Sequence, residues 1–99
     1  MNLGVTVGES RPLLVFFRSA ESGPARRMES LIAHLSRKER DRLRVTAVDI
    51  DARPELAEQF RVTVVPTLVL VKGKRTVARL EGRVSAPRIE RMLREHLAA

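Results

Sequence analysis

Val62-Thr63-Val64-Val65-Pro66-Thr67-Leu68-Val69-Leu70-Val71 is the stretch on which the fold turns. From Thr67 to Val71 it is apolar and β-branched, and it reads as a strand. Lys72-Gly73-Lys74 follows as a hairpin turn. Thr76 to Leu80 then alternates in polarity, which predicts a second hairpin strand with one wet face. Gly82 ends it. Ser85 is placed to cap a last helix, with Pro87 near its start and Ile89, Met92, Leu93 and Leu97 on one face.

Upstream of Val62, Asp51 is expected to cap a short helix that has Pro54 in its first turn and carries Leu56, Ala57 and Phe60 inward. Val45-Thr46-Ala47-Val48-Asp49-Ile50 reads as a strand. Before it, Met28, Leu31, Ile32 and Leu35 recur at helical spacing, with Arg26, Arg27, Ser30, His34, Arg37 and Lys38 on the wet side. Ser22 is a candidate N-cap, and Pro24 falls in the first turn, where no N–H is needed. Leu13-Leu14-Val15-Phe16-Phe17, between Pro12 and Arg18, is a continuous apolar run. It reads as a strand buried on both faces. The order is β-α-β-α-β-β-α, with no repeat, linker or low-complexity segment. Right-handed crossovers predict three parallel strands, with an antiparallel one added by the hairpin.

The 99-residue chain is one α/β domain by size. It contains no cysteine, which excludes disulfides, thiolate metal sites and a thiol nucleophile of its own. His34 and His96 are far apart, and Asp49 and Asp51 lack a third ligand, so no metal is expected. The net charge is +7, and arginine supplies 16 of the 19 basic groups. Residues 1–44 are net +4 and residues 45–99 net +3, so the charge is spread along the chain. The aromatics are Phe16, Phe17 and Phe60 alone, which leaves little for base stacking. A nucleic-acid role is therefore a minor alternative. The first residues lack a basic n-region, and Pro12 to Phe17 is too short for a signal core or a span. A cytoplasmic protein without a membrane span is expected.

Four stretches resemble the thioredoxin family, from about Ser10 to Leu97. Arg11 to Phe17 is similar to the strand entering that family's active site. Glu21-Ser22-Gly23-Pro24-Ala25 stands where the family has Trp-Cys-Gly-Pro-Cys. Val45 to Asp51 resembles the next strand and its acidic exit. Val62 to Leu70 resembles the Pro-Thr-Leu segment with its cis-proline, here Pro66. The resemblance implies a thioredoxin-like fold: a four-stranded mixed sheet with helices on both faces. Numbering the strands at residues 13–17, 45–50, 67–71 and 76–80 as β1 to β4, the implied order is β2-β1-β3-β4. The family's first strand and helix are mostly missing, although residues 4–7 are long enough for a short edge strand.

The departures from the family are as informative as the matches. Ser22 and Ala25 replace both cysteines, Glu21 and Arg18 replace tryptophans, and Phe16 and Ala47 stand in place of a buried aspartate and a nearby lysine. Thiol–disulfide exchange needs a thiolate, so dithiol redox activity is not expected, and no enzyme activity or cofactor with it. What survives is a recognition face. In the family, the residue before the cis-proline pairs its backbone with an extended partner. The candidate site is Arg18, Glu21, Ser22, Gly23, Pro24, Val65, Pro66 and Thr67, and the implied partner is another protein or extended peptide, acidic where it meets Arg18. A homodimer is expected if residues 3–7 leave the edge at residues 45–49 uncovered. The enzymatic alternative is a glutathione-dependent activity using Ser22 at the helix start, as in some glutathione transferases.

Overall fold

A computed structural model describes residues 11–97. The elements are β1 (Leu13–Arg18), α1 (Gly23–Lys38), β2 (Arg44–Asp49), α2 (Pro54–Gln59), β3 (Thr67–Lys72), β4 (Arg75–Glu81) and α3 (Ala86–Leu97). The sheet order is β2-β1-β3-β4. The short edge strand expected at residues 4–7 lies outside the described residues.

Strand direction departs from the expectation of three parallel strands. β1 and β2 are parallel, but β3 runs antiparallel to β1 and again to β4. The reason lies in the connection over residues 50–66. β2 ends with Asp49 beside Arg18, and β3 begins with Thr67 beside Phe17, so both ends of the connection sit at one end of the sheet. A right-handed crossover would have to carry the chain back along a six-residue strand, about 20 Å. The six-residue α2 advances only about 9 Å.

The apolar run of β1 is buried on both faces because the sheet is covered on both. Leu14 and Phe16, with Leu68 and Leu70 of β3, pack against Met28, Ile32 and Leu35 of α1 and Ile89, Met92 and Leu93 of α3. Leu13, Val15 and Phe17, with Val69, form the opposite layer with Val48 of β2 and Leu56 of α2. Phe60, just beyond α2, meets Phe17 with ring centroids 5.5 Å apart and planes tilted by 53°.

Two details correct the local reading. Asp51 does not cap α2. The N-cap is Arg53, with no side-chain cap bond, and Asp51 Oδ2 instead accepts from Ser19 Oγ at 2.8 Å. Ser19 follows β1 directly and lies next to the β2 exit, so its hydroxyl competes for the carboxylate that the helix would use. Arg61, a non-glycine at φ 54°, turns the chain after α2. Arg79 of β4 reaches it from the sheet, donating from Nη1 to Phe60 O at 2.9 Å and from Nη2 to Arg61 O at 3.2 Å.

Candidate functional site

The candidate residues gather at the end of the sheet where β1 and β2 finish and β3 begins. Arg18 is paired with Asp49, and Phe17 with Thr67. Leaving β1, the chain makes a turn in which Ser22 N–H donates to Ser19 O at 3.1 Å and Glu21 N–H to Ser19 Oγ at 3.3 Å. The Ser19–Asp51 bond ties this turn to the exit of β2. Glu21, at the tip, is exposed.

Ser22 is the N-cap of α1. Its backbone is extended (φ −91°, ψ 110°), and its Oγ accepts from Ala25 N–H at 3.1 Å. That satisfies one of the N–H groups a helix start leaves unpaired. Pro24 takes a first-turn position that asks for no donor. The first turn contains no acidic residue, and Arg26 and Arg27 are exposed there, against the helix dipole. The Arg27 guanidinium lies beside Gly23, 3.6 Å from where a β-carbon on that glycine would be.

Opposite stands the entry to β3. The Val65–Pro66 peptide bond is cis. Pro66 and Thr67 are buried. Thr67 Oγ1 donates to Val64 O at 2.8 Å, and Pro66 O accepts from Gly82 N–H at 2.8 Å, so the segment is held from both sides. Between these anchors, the Val65 N–H and C=O have no hydrogen-bond partner among the described residues. Val64 is 45% exposed and is the exposed large hydrophobic side chain among the described residues.

Two residues here escaped the sequence reading. Val64 carried a weak signal: it is an apolar residue just outside the strand run, with nothing to show which way it faces. Glu29 carried none. It binds Arg18 at 3.1 Å across eleven residues of sequence, with both side chains partly exposed.

Behind this end, Phe16 and Ala47 are direct neighbours across β1 and β2. Phe16 is only 1% exposed and belongs to the core. Both line a cavity of about 330 Å³ between α1 and the sheet, together with Ile32, Ala33 and the Arg18–Glu29 pair. Phe16 therefore contributes packing where the resembled family would bury an acid. Among the described residues, no group of three or more potential metal ligands occurs, and no helix is long and apolar enough to cross a membrane.

The thioredoxin family model matches residues 2–95. The chain belongs to the thioredoxin family. The match starts ahead of Ser10, where the sequence resemblance was placed. The chain is 33% identical over 92 residues to the thioredoxin-like protein slr1139 of Synechocystis, covering 93% of this chain and 84% of that one. It is 31% identical over 96 residues to thioredoxin of Alicyclobacillus acidocaldarius, covering 97% and 91%. Among solved structures, the germline-specific thioredoxin Deadhead of Drosophila superposes with a TM-score of 0.83 at 26% identity, over 89% of this chain and 83% of that one. The thioredoxin fold is thus present, with a helix-start turn and a cis-proline at one end of the sheet, while the turn carries Ser22 and Ala25 and no cysteine.

Proposed function

We propose that this protein is a redox-inactive thioredoxin-like interaction module that holds an extended segment of another protein at the Ser22/Pro66 end of its sheet. The observation that carries the reading is Val65: a backbone N–H and C=O with no partner among the described residues, set between the exposed Val64 and the buried Pro66. A residue before proline is kept extended. Its free amide and carbonyl offer an extended peptide strand-like hydrogen bonds, and Val64 offers apolar contact.

Chemistry supports binding over catalysis. Exchange with a disulfide requires a thiolate, and the chain has no cysteine thiol. Ser22 uses its hydroxyl oxygen as a helix cap, which accounts for a serine at that position without a glutathione role. Arg18 favours an acidic group on the partner. Its exposed pair with Glu29 is worth only about 0–1 kcal/mol, so a partner carboxylate can compete for it.

The test is a comparison of baits. Val64→Asp changes an exposed side chain and leaves the core alone. A protein captured by the wild type should be lost, or bound at least about tenfold more weakly, with Val64→Asp and with Arg18→Glu. Neither variant should change the melting temperature appreciably. Chemical-shift changes caused by that partner should centre on Glu21, Ser22, Val64 and Val65. Unchanged affinity in both variants, or shifts confined to another surface, refutes the site. Acceleration of insulin reduction in dithiothreitol above a serum-albumin control refutes the redox-inactive reading.

A further inference from the structure

Most of the net charge sits in one continuous segment that folds as a unit. Residues 67–97, which form β3, β4 and α3, hold eight basic and three acidic residues, net +5 of the chain's +7. On this unit a groove of about 260 Å³ runs between β4 and α3. Ala78, Leu80 and Met92 give it apolar surface, Arg88 and Arg91 stand along the helix, and Glu95 is the lone carboxylate among the lining residues. Arg88 and Arg91 are exposed and have no ion-pair or hydrogen-bond partner among the described residues. They lie one helical turn apart and so present their charge on one side of α3.

The groove adjoins a sheet edge. Among the described residues β4 pairs only with β3. Gly82 N–H donates to Pro66 O, and these two residues continue the register that pairs Glu81 with Thr67 and Leu80 with Leu68. In an antiparallel ladder, alternate residues turn their amide and carbonyl toward the partner strand. Leu80 and Ala78 therefore face β3, whereas Glu81 and Arg79 turn theirs outward. The register shift between Leu70 and Val71 interrupts the ladder beyond Ala78, which limits the regular free edge to residues 78–81. The Arg79 side chain is already committed to Phe60 and Arg61 on the opposite face.

We propose that the outer edge of β4, which adjoins the Ser22/Pro66 end but faces away from β3, is a second docking site, and that it takes an extended acidic polypeptide segment as an added strand. Hydrogen bonds to the Arg79 and Glu81 backbones would hold the segment. Its alternate side chains would point over Ala78 and Leu80 toward Arg88 and Arg91. The recognised pattern is thus a short strand with carboxylates at every second position. Charge selects the occupant: a second copy of this basic unit is repelled, and an acidic strand is attracted. A single-stranded nucleic acid matches the charge. It does not match the backbone edge, and the described surface has no exposed Phe, Tyr or Trp side chain on which bases would stack.

The probe is a blocked, fluorescein-labelled synthetic peptide of alternating valine and glutamate, titrated into the full chain and followed by fluorescence anisotropy. Affinity should fall about tenfold or more in Arg88→Glu/Arg91→Glu. It should change less than about twofold in Arg26→Glu/Arg27→Glu, which alters net charge equally on a different helix. Bound peptide should slow hydrogen exchange at the Arg79 and Glu81 amides. A peptide methylated at alternate backbone nitrogens, on the edge that faces β4, should not bind. The proposal is overturned if both arginine pairs cost the same affinity, if the methylated peptide binds as well, or if Arg79 and Glu81 exchange is unaffected. It is also overturned if an oligouridylate binds more tightly than the peptide through Arg88 and Arg91.

Discussion

Ser22 stands where the family places its nucleophilic cysteine, and its local geometry makes it a helix cap. Ser22→Ala removes the single side-chain bond that satisfies the start of α1, the 3.1 Å contact from Ala25 N–H. Loss of such a cap costs about 1 kcal/mol. Unfolding a domain of this size carries an entropy of about 0.2 kcal/mol per kelvin, so the melting temperature should fall by about 5 °C. Ser22→Asp should recover that loss. Aspartate caps as well as serine does, and it brings a negative charge to a first turn that now holds only Arg26 and Arg27. The dipole interaction adds about 0.3–1 kcal/mol at low ionic strength. In 1 M salt, where the screening length is about 3 Å, most of this addition should vanish while the cap itself remains. The assay is thermal unfolding followed by circular dichroism at both salt concentrations. A Ser22→Ala melting temperature within about 1 °C of wild type would refute the capping account. So would a Ser22→Asp variant no more stable than Ser22→Ala.

Other outcomes follow from the same geometry. Phe16→Asp restores the family's acid but places it at 1% exposure among Leu14, Met28 and Ile32, so it should cost more than about 3 kcal/mol in urea unfolding; a loss below about 1 kcal/mol would show that the region is not the packed core described. Arg79→Met keeps the apolar stem and removes two charge-assisted bonds, to Phe60 O and Arg61 O, and should cost about 1–3 kcal/mol with faster exchange after α2; an unchanged urea midpoint would count against that tie. The hydrogen bond from Arg53 holds the Glu55 carboxyl below its ordinary value of 4.5. The stability from that contact is therefore complete above the ordinary value and is lost as pH falls through the lowered one, and an NMR titration midpoint at or above 4.5 would contradict the contact.

Much of the molecule is legible from local pattern. The run Leu13 to Phe17 has no polar member and reads as a strand covered on both sides, and Leu14/Phe16 and Leu13/Val15/Phe17 do face separate layers. Ser22 and Pro24 announce the start of α1 because a cap depends on residues only three apart. The absence of cysteine removes the thiolate that disulfide exchange needs, independent of geometry. The Pro66-Thr67-Leu68 segment was legible through resemblance, because a backbone motif survives the replacement of the sulfur-bearing side chains.

Other features depended on partners distant in sequence. Asp51 has the composition of a cap, but Ser19 takes its carboxylate from across the sheet. Arg18 has a lone charge in the sequence and a partner in Glu29 once α1 folds over β1. The direction of β3 was set by the reach of a six-residue helix, which returns the chain to the end of the sheet it had just left. Local pattern was enough to place the strands and helices and to show that the chain brings no thiol, because side-chain periodicity and sulfur content are read along the chain. Only the assembled fold shows that, among the described residues, Val65 keeps an unpaired backbone edge and Arg88 and Arg91 border an open strand, because pairing and exposure belong to surfaces formed when distant segments meet.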